Sequence, residues 1–222
     1  VILHSVMITY DRLYATQKSL ESYLETVTVP FTLVVVDNGS TDGTVKWLAN
    51  AAGLDMFHVT LLPRNMYPGY ACNQGWQRAP EEATHLHRAD NDWAYYPGWC
   101  DHLAAAFQDP KVGQVGLRTD LEESHGGVPI PWNVGGNCVI RRELWDKGLR
   151  YDERPWTQLP PGHSEDTYMS PAVAAMGYKW VRVAEPCIYG VSTDENRMNP
   201  YYNRSWGARR IYGLRPWAED LK

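Results

Sequence analysis

Two short acidic clusters hold the residue types most able to do chemistry in this 222-residue chain. Asp90-Asn91-Asp92 closes the run Thr84-His85-Leu86-His87-Arg88-Ala89, and Glu165-Asp166 follows Gly162-His163-Ser164. Carboxylates one residue apart can converge on one hard cation, and Mg2+ or Mn2+ held by such oxygens often shares its coordination sphere with phosphate. A cation so held would neutralise charge building on a departing diphosphate. Glu165-Asp166 stands where a helix is predicted to begin. Acidic residues there suit the positive end of the helix dipole, but one of the two carboxylates can also take a proton from a hydroxyl within hydrogen-bond reach. Together the clusters point to transfer of a group carried on a nucleoside diphosphate.

The elements that must position these groups are legible in the hydrophobic pattern. Residues 4–10 read as a strand, 13–25 as an amphipathic helix, and 31–36 (Phe-Thr-Leu-Val-Val-Val) as the continuous apolar strand of a parallel sheet covered on both faces. A helix through Trp47 and Leu48 follows the turn Asn38-Gly39-Ser40, then a strand over 56–62 and a loop over 64–70 with Pro-Gly turn chemistry. A helix through Asn73 and Trp76, a strand over 85–89 and a helix opened by Pro97-Gly98-Trp99 complete the first 110 residues. Strand and helix thus alternate four times, which predicts an α/β fold. The second half is less regular: strands over 112–117, 137–140 and 178–183, a short helix over 142–147 ended by Gly148, and a helix over 165–176 that must absorb Pro171. Polar stretches at 119–132 and 152–164 read as loops, and 193–222 as loop and short helix. No linker or fixed-period repeat divides the chain, so a single domain is expected over 1–222. Asp11, Asp37 and Asp90 all fall at predicted strand C-termini, where open parallel sheets bind ligands.

Composition narrows the function classes. A net charge of -5 argues against a general nucleic-acid binder. Ten Trp and 14 Tyr against three Phe supply flat faces with polar handles, divided between core and ligand stacking. Cys72, Cys100, Cys138 and Cys187 lack zinc-like spacing and predict reduced thiols in a cytoplasmic compartment, with a structural disulfide the alternative. No apolar run reaches 18 residues, and the opening residues read as a buried strand rather than a leader, so a soluble protein is expected. Asp37-Asn38-Gly39-Ser40-Thr41-Asp42-Gly43-Thr44 is neither a P-loop nor a dinucleotide fingerprint, which removes the usual anchors of an ATPase or a dehydrogenase. His87, His125 and His163 are each expected to be structural or solvent-facing rather than ligands. Arg204, Arg209 and Arg210 could fork onto phosphate or form a solvated tail.

The ordered set of motifs resembles family 2 glycosyltransferases of the GT-A fold. Val6-Met7-Ile8-Thr9-Tyr10-Asp11-Arg12 resembles that family's first strand and loop, with Ile8 and Asp11 where proline and asparagine are usual. Val34-Val35-Val36-Asp37-Asn38-Gly39-Ser40-Thr41-Asp42-Gly43-Thr44 is similar to its second strand and turn. Asn65, Gly69, Asn73 and Gly75 carry its loop-to-helix segment, Arg88 to Trp99 its Asp-x-Asp strand and helix start, and Gly135–Glu153 with Ser164–Val183 its acceptor-side half.

The resemblance implies a Rossmann-like mixed central sheet flanked by helices, with a nucleotide-sugar half over 1–110, an acceptor-side half over 111–192 and a tail over 193–222. It implies Thr9, Tyr10 and Asp11 along the nucleoside, Asp37 on the base (typically uracil), and Arg64 and Asn73 near the donor. It further implies Asp90 with Asn91 near ribose and metal, Asp92 on Mn2+ or Mg2+, Gly136 and Asn137 near sugar and acceptor, and Asp166 as general base beside Glu165. The implied reaction is inverting single displacement from a nucleoside-diphosphate sugar to a hydroxyl of a glycan, protein or other acceptor. The chain departs from the family at Gly190, where many relatives place a histidine, and it lacks the Gln-x-x-Arg-Trp segment of processive membrane synthases. Three other readings stay open on residues alone: a nucleotidyltransferase, a retaining glycosyltransferase and a non-catalytic carbohydrate-binding protein.

Overall fold

The computed structural model describes residues 1–51, 57–118, 133–160 and 163–191, together with the backbone of 124–125 and 128–129. Its elements run β1 (Leu3–Thr9), α1 (Leu13–Thr26), β2 (Phe31–Asp37), α2 (Thr44–Ala51), β3 (His58–Leu61), α3 (Tyr67–Trp76), β4 (His85–Asp90), β5 (Trp93–Tyr95) and α4 (Trp99–Ala106). They continue as β6 (Val112–Gly116), β7 (Ser124–His125), β8 (Val128–Pro129), β9 (Cys138–Arg141), α5 (Arg142–Asp146), α6 (Met169–Ala175), β10 (Lys179–Arg182) and β11 (Ile188–Gly190). Among the described residues a seven-stranded sheet has the order β10-β6-β9-β4-β1-β2-β3. β3, β2, β1 and β4 are parallel, β9 runs antiparallel to both β4 and β6, and β10 is parallel to β6. This is the mixed sheet flanked by helices that the sequence predicts.

The alternation of side chains along β1 and β2 explains why helices cover both faces. Leu3, Met7, Leu33 and Val35 point into one core with Leu20 and Tyr23 of α1, Leu48 of α2 and Trp99 and Leu103 of α4. Val6, Ile8, Val34 and Val36 point into the other, against Ala71, Cys72 and Trp76 of α3, Leu144 of α5 and Met169 and Val173 of α6. Each fully buried Leu or Val contributes about 1.5–3 kcal/mol. The strand ends are therefore anchored from both sides, and the loops at their C-terminal ends start from fixed points.

The structure differs from the sequence expectation in four places. α3 begins at Tyr67, because Pro68 sits in its first turn, where no backbone N–H is required. Residues 165–168 form a turn and α6 starts at Met169, which puts Pro171 in the first turn and removes any need for a kink. β5 and β11 pair antiparallel outside the main sheet. The stretch 119–132 contains the β7–β8 pair instead of only loop. All four cysteines are buried free thiols, and among the described residues no helix is long and apolar enough to cross a membrane.

Candidate active site

Sheet register brings the acidic strand ends together. Thr9 of β1 pairs with Asp37 of β2, and Ile8 pairs with Asp90 of β4. Asp37 is fully buried; its Oδ2 accepts the Gly39 N–H at 3.1 Å and the Ser40 N–H at 2.9 Å. Its Oδ1 is buried without a hydrogen-bond partner. The turn after Asp37 closes against the Arg64 loop: a Cβ on Gly39 (φ +82°) would lie 2.5 Å from the Arg64 Cα. Asn38 ties the two loops, donating to Asn65 Oδ1 at 3.1 Å and accepting the Met66 N–H at 2.7 Å. Arg64 is thereby held beside the Asp37 turn, its exposed side chain reaching Met66 Sδ at 3.5 Å.

Asp11 takes a left-handed backbone (φ 46°), a conformation more open to Asp than to most residues. Its N–H donates to Ser40 Oγ, and its Oδ1 accepts the Thr41 N–H at 2.6 Å and the Thr41 hydroxyl at 3.2 Å. The first and second loops are thus stitched together, with Tyr10 beside them; partial burial and then the Asp11 charge raise the Tyr10 phenol. Thr9 and Asn91 are buried and turn their polar groups onto one another: the Asn91 amide donates to Thr9 Oγ1 at 3.1 Å and Thr16 Oγ1 at 2.8 Å. These two residues brace the strand ends from within. Asn73 is also buried, donating to the Tyr151 carbonyl and Glu153 Oε1 and accepting the Tyr151 N–H. It clamps α3 to the chain leading toward Glu165.

A guanidinium occupies the middle of the site. Arg88, 4 % exposed, donates from Nε to Asp90 Oδ1 at 3.0 Å and from Nη2 to Glu165 Oε1 at 2.7 Å. It lies 4.9 Å from the Tyr151 ring centre, and its Nη1 is buried without a partner. Asn137 grips Asp90 twice, accepting its N–H at 2.9 Å and donating to Oδ2 at 3.2 Å. Gly136 makes this closure possible, since a Cβ there would lie 2.5 Å from Asp90 Oδ2 and 3.0 Å from Arg88 Nη2. Burial raises the Asp90 carboxyl above its ordinary range, with Arg88 opposing. The Trp156 indole N–H donates to Glu165 Oε2 at 2.8 Å. Asp166, 8 % exposed, accepts from the Ser164 hydroxyl. Burial first, then the Glu165 charge, push its carboxyl up to about 6, while Arg88 and the Ser164 bond pull the other way. A carboxyl so poised is ionised near neutrality yet remains a competent proton acceptor.

Asp92 bonds the Arg12 Nη1 at 2.8 Å, with about a tenth of each side chain exposed. Both carboxylates of the Asp-x-Asp are therefore engaged by guanidinium groups, Asp90 by Arg88 and Asp92 by Arg12. Among the described residues no three His, Cys, Asp or Glu side chains converge as a metal-holding group. Gly190 pairs with Trp93, and the next residue's N–H donates to the Asp92 carbonyl at 2.7 Å, so the glycine that replaces the family's histidine lies beside Asp92 and offers no ligand. In this arrangement the residues do not fit Mn2+ or Mg2+.

The described histidines weighed as ligands are otherwise engaged. His87 is buried against Ser5 and Tyr95, with burial pushing its ring down to about 3, and His163 bonds the Tyr168 hydroxyl. The His125 side chain, Arg204, Arg209 and Arg210 lie outside the described residues. Sequence reasoning missed Arg88 and Arg12. A charged residue inside an otherwise buried strand was the available signal for Arg88; Arg12 carried none beyond its place after Asp11.

The sequence profile described as Glycosyl transferase family 2 matches residues 5–129, more than half of the chain. The chain belongs to that family. A crystal structure of S. aureus TarS 1-349 superposes with a TM-score of 0.67 at 17% identity, covering 88% of this chain and 62% of that one. TarS 1-349 in complex with UDP-GlcNAc gives 0.68 at 18% identity, covering 87% and 59%. The mannosyltransferase PcManGT from Pyrobaculum calidifontis in complex with GDP-Man and Mn2+ gives 0.64 at 20% identity, covering 83% and 56%. The chain thus spans less than two thirds of each of these chains, and at these identities the likeness shows the fold. None of the curated proteins matches the sequence.

Proposed function

We propose that this family 2 member transfers a sugar from a nucleoside diphosphate, uridine being the preferred nucleoside, to an acceptor hydroxyl with inversion at the anomeric carbon. The observation that carries the reading is Asp37 Oδ1, a buried carboxylate oxygen at the end of β2 without a hydrogen-bond partner. Leaving such an atom unpaired costs about 1–3 kcal/mol, and the N3–H of uracil would supply the missing bond. UDP-GlcNAc bound to TarS and GDP-Man bound to the mannosyltransferase support the donor class.

In this reading Tyr10, Asp11 and Arg64 flank the nucleoside, while Asp90, Gly136 and Asn137 shape the floor beneath the sugar. Thr9, Asn91 and Asn73 hold those groups in place. Asp166 takes the proton of the acceptor hydroxyl; that oxygen forms the new bond to the anomeric carbon as the bond to the diphosphate oxygen breaks and the nucleoside diphosphate leaves. Glu165, held by the Arg88 guanidinium and the Trp156 indole N–H, fixes the turn, and its charge keeps Asp166 from ionising too readily. The acceptor is a glycan, a protein side chain or another hydroxyl-bearing molecule.

Calorimetric titration of UDP, GDP and CDP into wild type and Asp37→Ala tests the donor site. UDP binding at least about tenfold weaker in the variant is expected from one lost hydrogen bond to a charged group; equal affinities would remove Asp37 from the site. The anomeric configuration of the product, read by NMR, tests inversion.

A further inference from the structure

We propose that Arg12 is a cation built into this site for the donor diphosphate, holding Asp92 until a donor arrives and then binding the diphosphate without requiring a divalent metal. The inference rests on the donor-site reading above. Its first support is position. The backbone around Arg12 is fixed on both sides: Asp11 is bonded to Ser40 and Thr41, the Leu13 N–H donates to Asp42 Oδ2 at 2.8 Å, and the Arg12 carbonyl accepts from the Thr16 N–H and hydroxyl. From that base its side chain reaches Asp92, two residues beyond Asp90. The guanidinium therefore spans the space between the turn that carries Asp37 and the strand end that carries Asp90. A diphosphate joining a nucleoside on Asp37 to a sugar between Asp90 and Asp166 must cross that space.

The second support is chemistry. A guanidinium carries five donors in a planar fork that matches phosphate oxygens, and it stays charged at every working pH. The Arg12–Asp92 pair is largely shielded from solvent, so its charges act through a less screening medium than surface pairs. Arg88 is fixed on two sides, by Asp90 and by Glu165, and lies deeper, with its remaining Nη1 buried. A metal would have to compete with Arg12 for Asp92, whereas an incoming diphosphate competes with Asp92 for Arg12.

The experiment is calorimetric binding of UDP to wild type, Arg12→Gln and Arg12→Lys, each in EDTA and in Mn2+, with Mn2+ binding in the absence of nucleotide followed by electron paramagnetic resonance. Wild type is expected to bind UDP in EDTA. Arg12→Gln should bind it roughly ten- to a hundredfold more weakly there, the loss typical of a charge-assisted bond, and should bind Mn2+ more tightly than wild type because the guanidinium no longer competes for Asp92. Arg12→Lys, which keeps the charge and loses the fork, should fall between; this variant decides the matter if melting shows that Arg12→Gln does not fold. UDP binding to wild type only when Mn2+ is present would overturn the proposal, as would equal affinities of wild type and the Arg12 variants in EDTA. Failure of wild type to bind any of UDP, GDP and CDP, with or without Mn2+, would overturn the donor site itself and this inference with it.

Discussion

Asp166→Asn separates the proposed catalysis from stability, because the burial that would suit Asp166 to serve as a base also makes it costly to keep charged. Its carboxyl is raised from the usual 3.8 to about 6 by burial and the Glu165 charge. A raised carboxylate stabilises the fold at low pH; that contribution is complete below about 3.8 and is lost as pH rises through about 6. The rise is worth up to about 3 kcal/mol. Asparagine keeps an oxygen to accept from Ser164 but carries no charge, so the variant should be as stable as wild type at pH 4 and more stable, by up to about 3 kcal/mol, near pH 8. Turnover should fall by about 10²–10⁴, the usual contribution of a positioned base, and the wild-type rate should decline below about pH 6 as the base is protonated. Urea unfolding at both pH values and a pH–rate profile measure the two effects. Full turnover in the variant would refute the base assignment; a stability difference that does not grow between pH 4 and pH 8 would refute the burial argument even if activity is lost.

Two further perturbations probe the charge cluster. Arg88→Met leaves Glu165 buried without its countercharge, so it should cost about 3–5 kcal/mol in urea unfolding; it should also move the acid limb of the pH–rate profile upward, since Arg88 holds Asp166 down. Gly136→Ala places a methyl group 2.5 Å from Asp90 Oδ2 and should cost about 1–3 kcal/mol, with weaker donor binding by calorimetry than in wild type.

Among the parallel strands β2 was the most legible, because it reads as an unbroken apolar run with Asp37 at its C-terminal end; β1 and β4 bury His, Ser and Arg among their apolar residues, and β3 is only partly buried. Tyr67–Tyr70 was harder: Pro-Gly marks a turn in most contexts, and only the helix continuing from it shows that Pro68 occupies a first turn. β5 and β11 are three residues each, too short for a period, and their pairing is set by partners far apart in sequence. Arg88 drew no separate reading within its strand, because its meaning depends on Glu165, more than seventy residues away. The Asp-x-Asp spacing suggested a metal site, but spacing does not reveal that two arginines already bond the pair. The readings of 193–222 lie outside the described residues.

Arg88 also bears on how this site can change over generations. Its guanidinium is shared between a carboxylate on a strand and one on a distant turn, and Gly136 lies against both Asp90 and Arg88. A substitution at any one of these positions leaves the others mismatched, so single steps are disfavoured even where a different full set would serve. The Arg64 side chain is exposed and meets no such lock, so a change of that side chain should disturb the centre less than a change within this quartet.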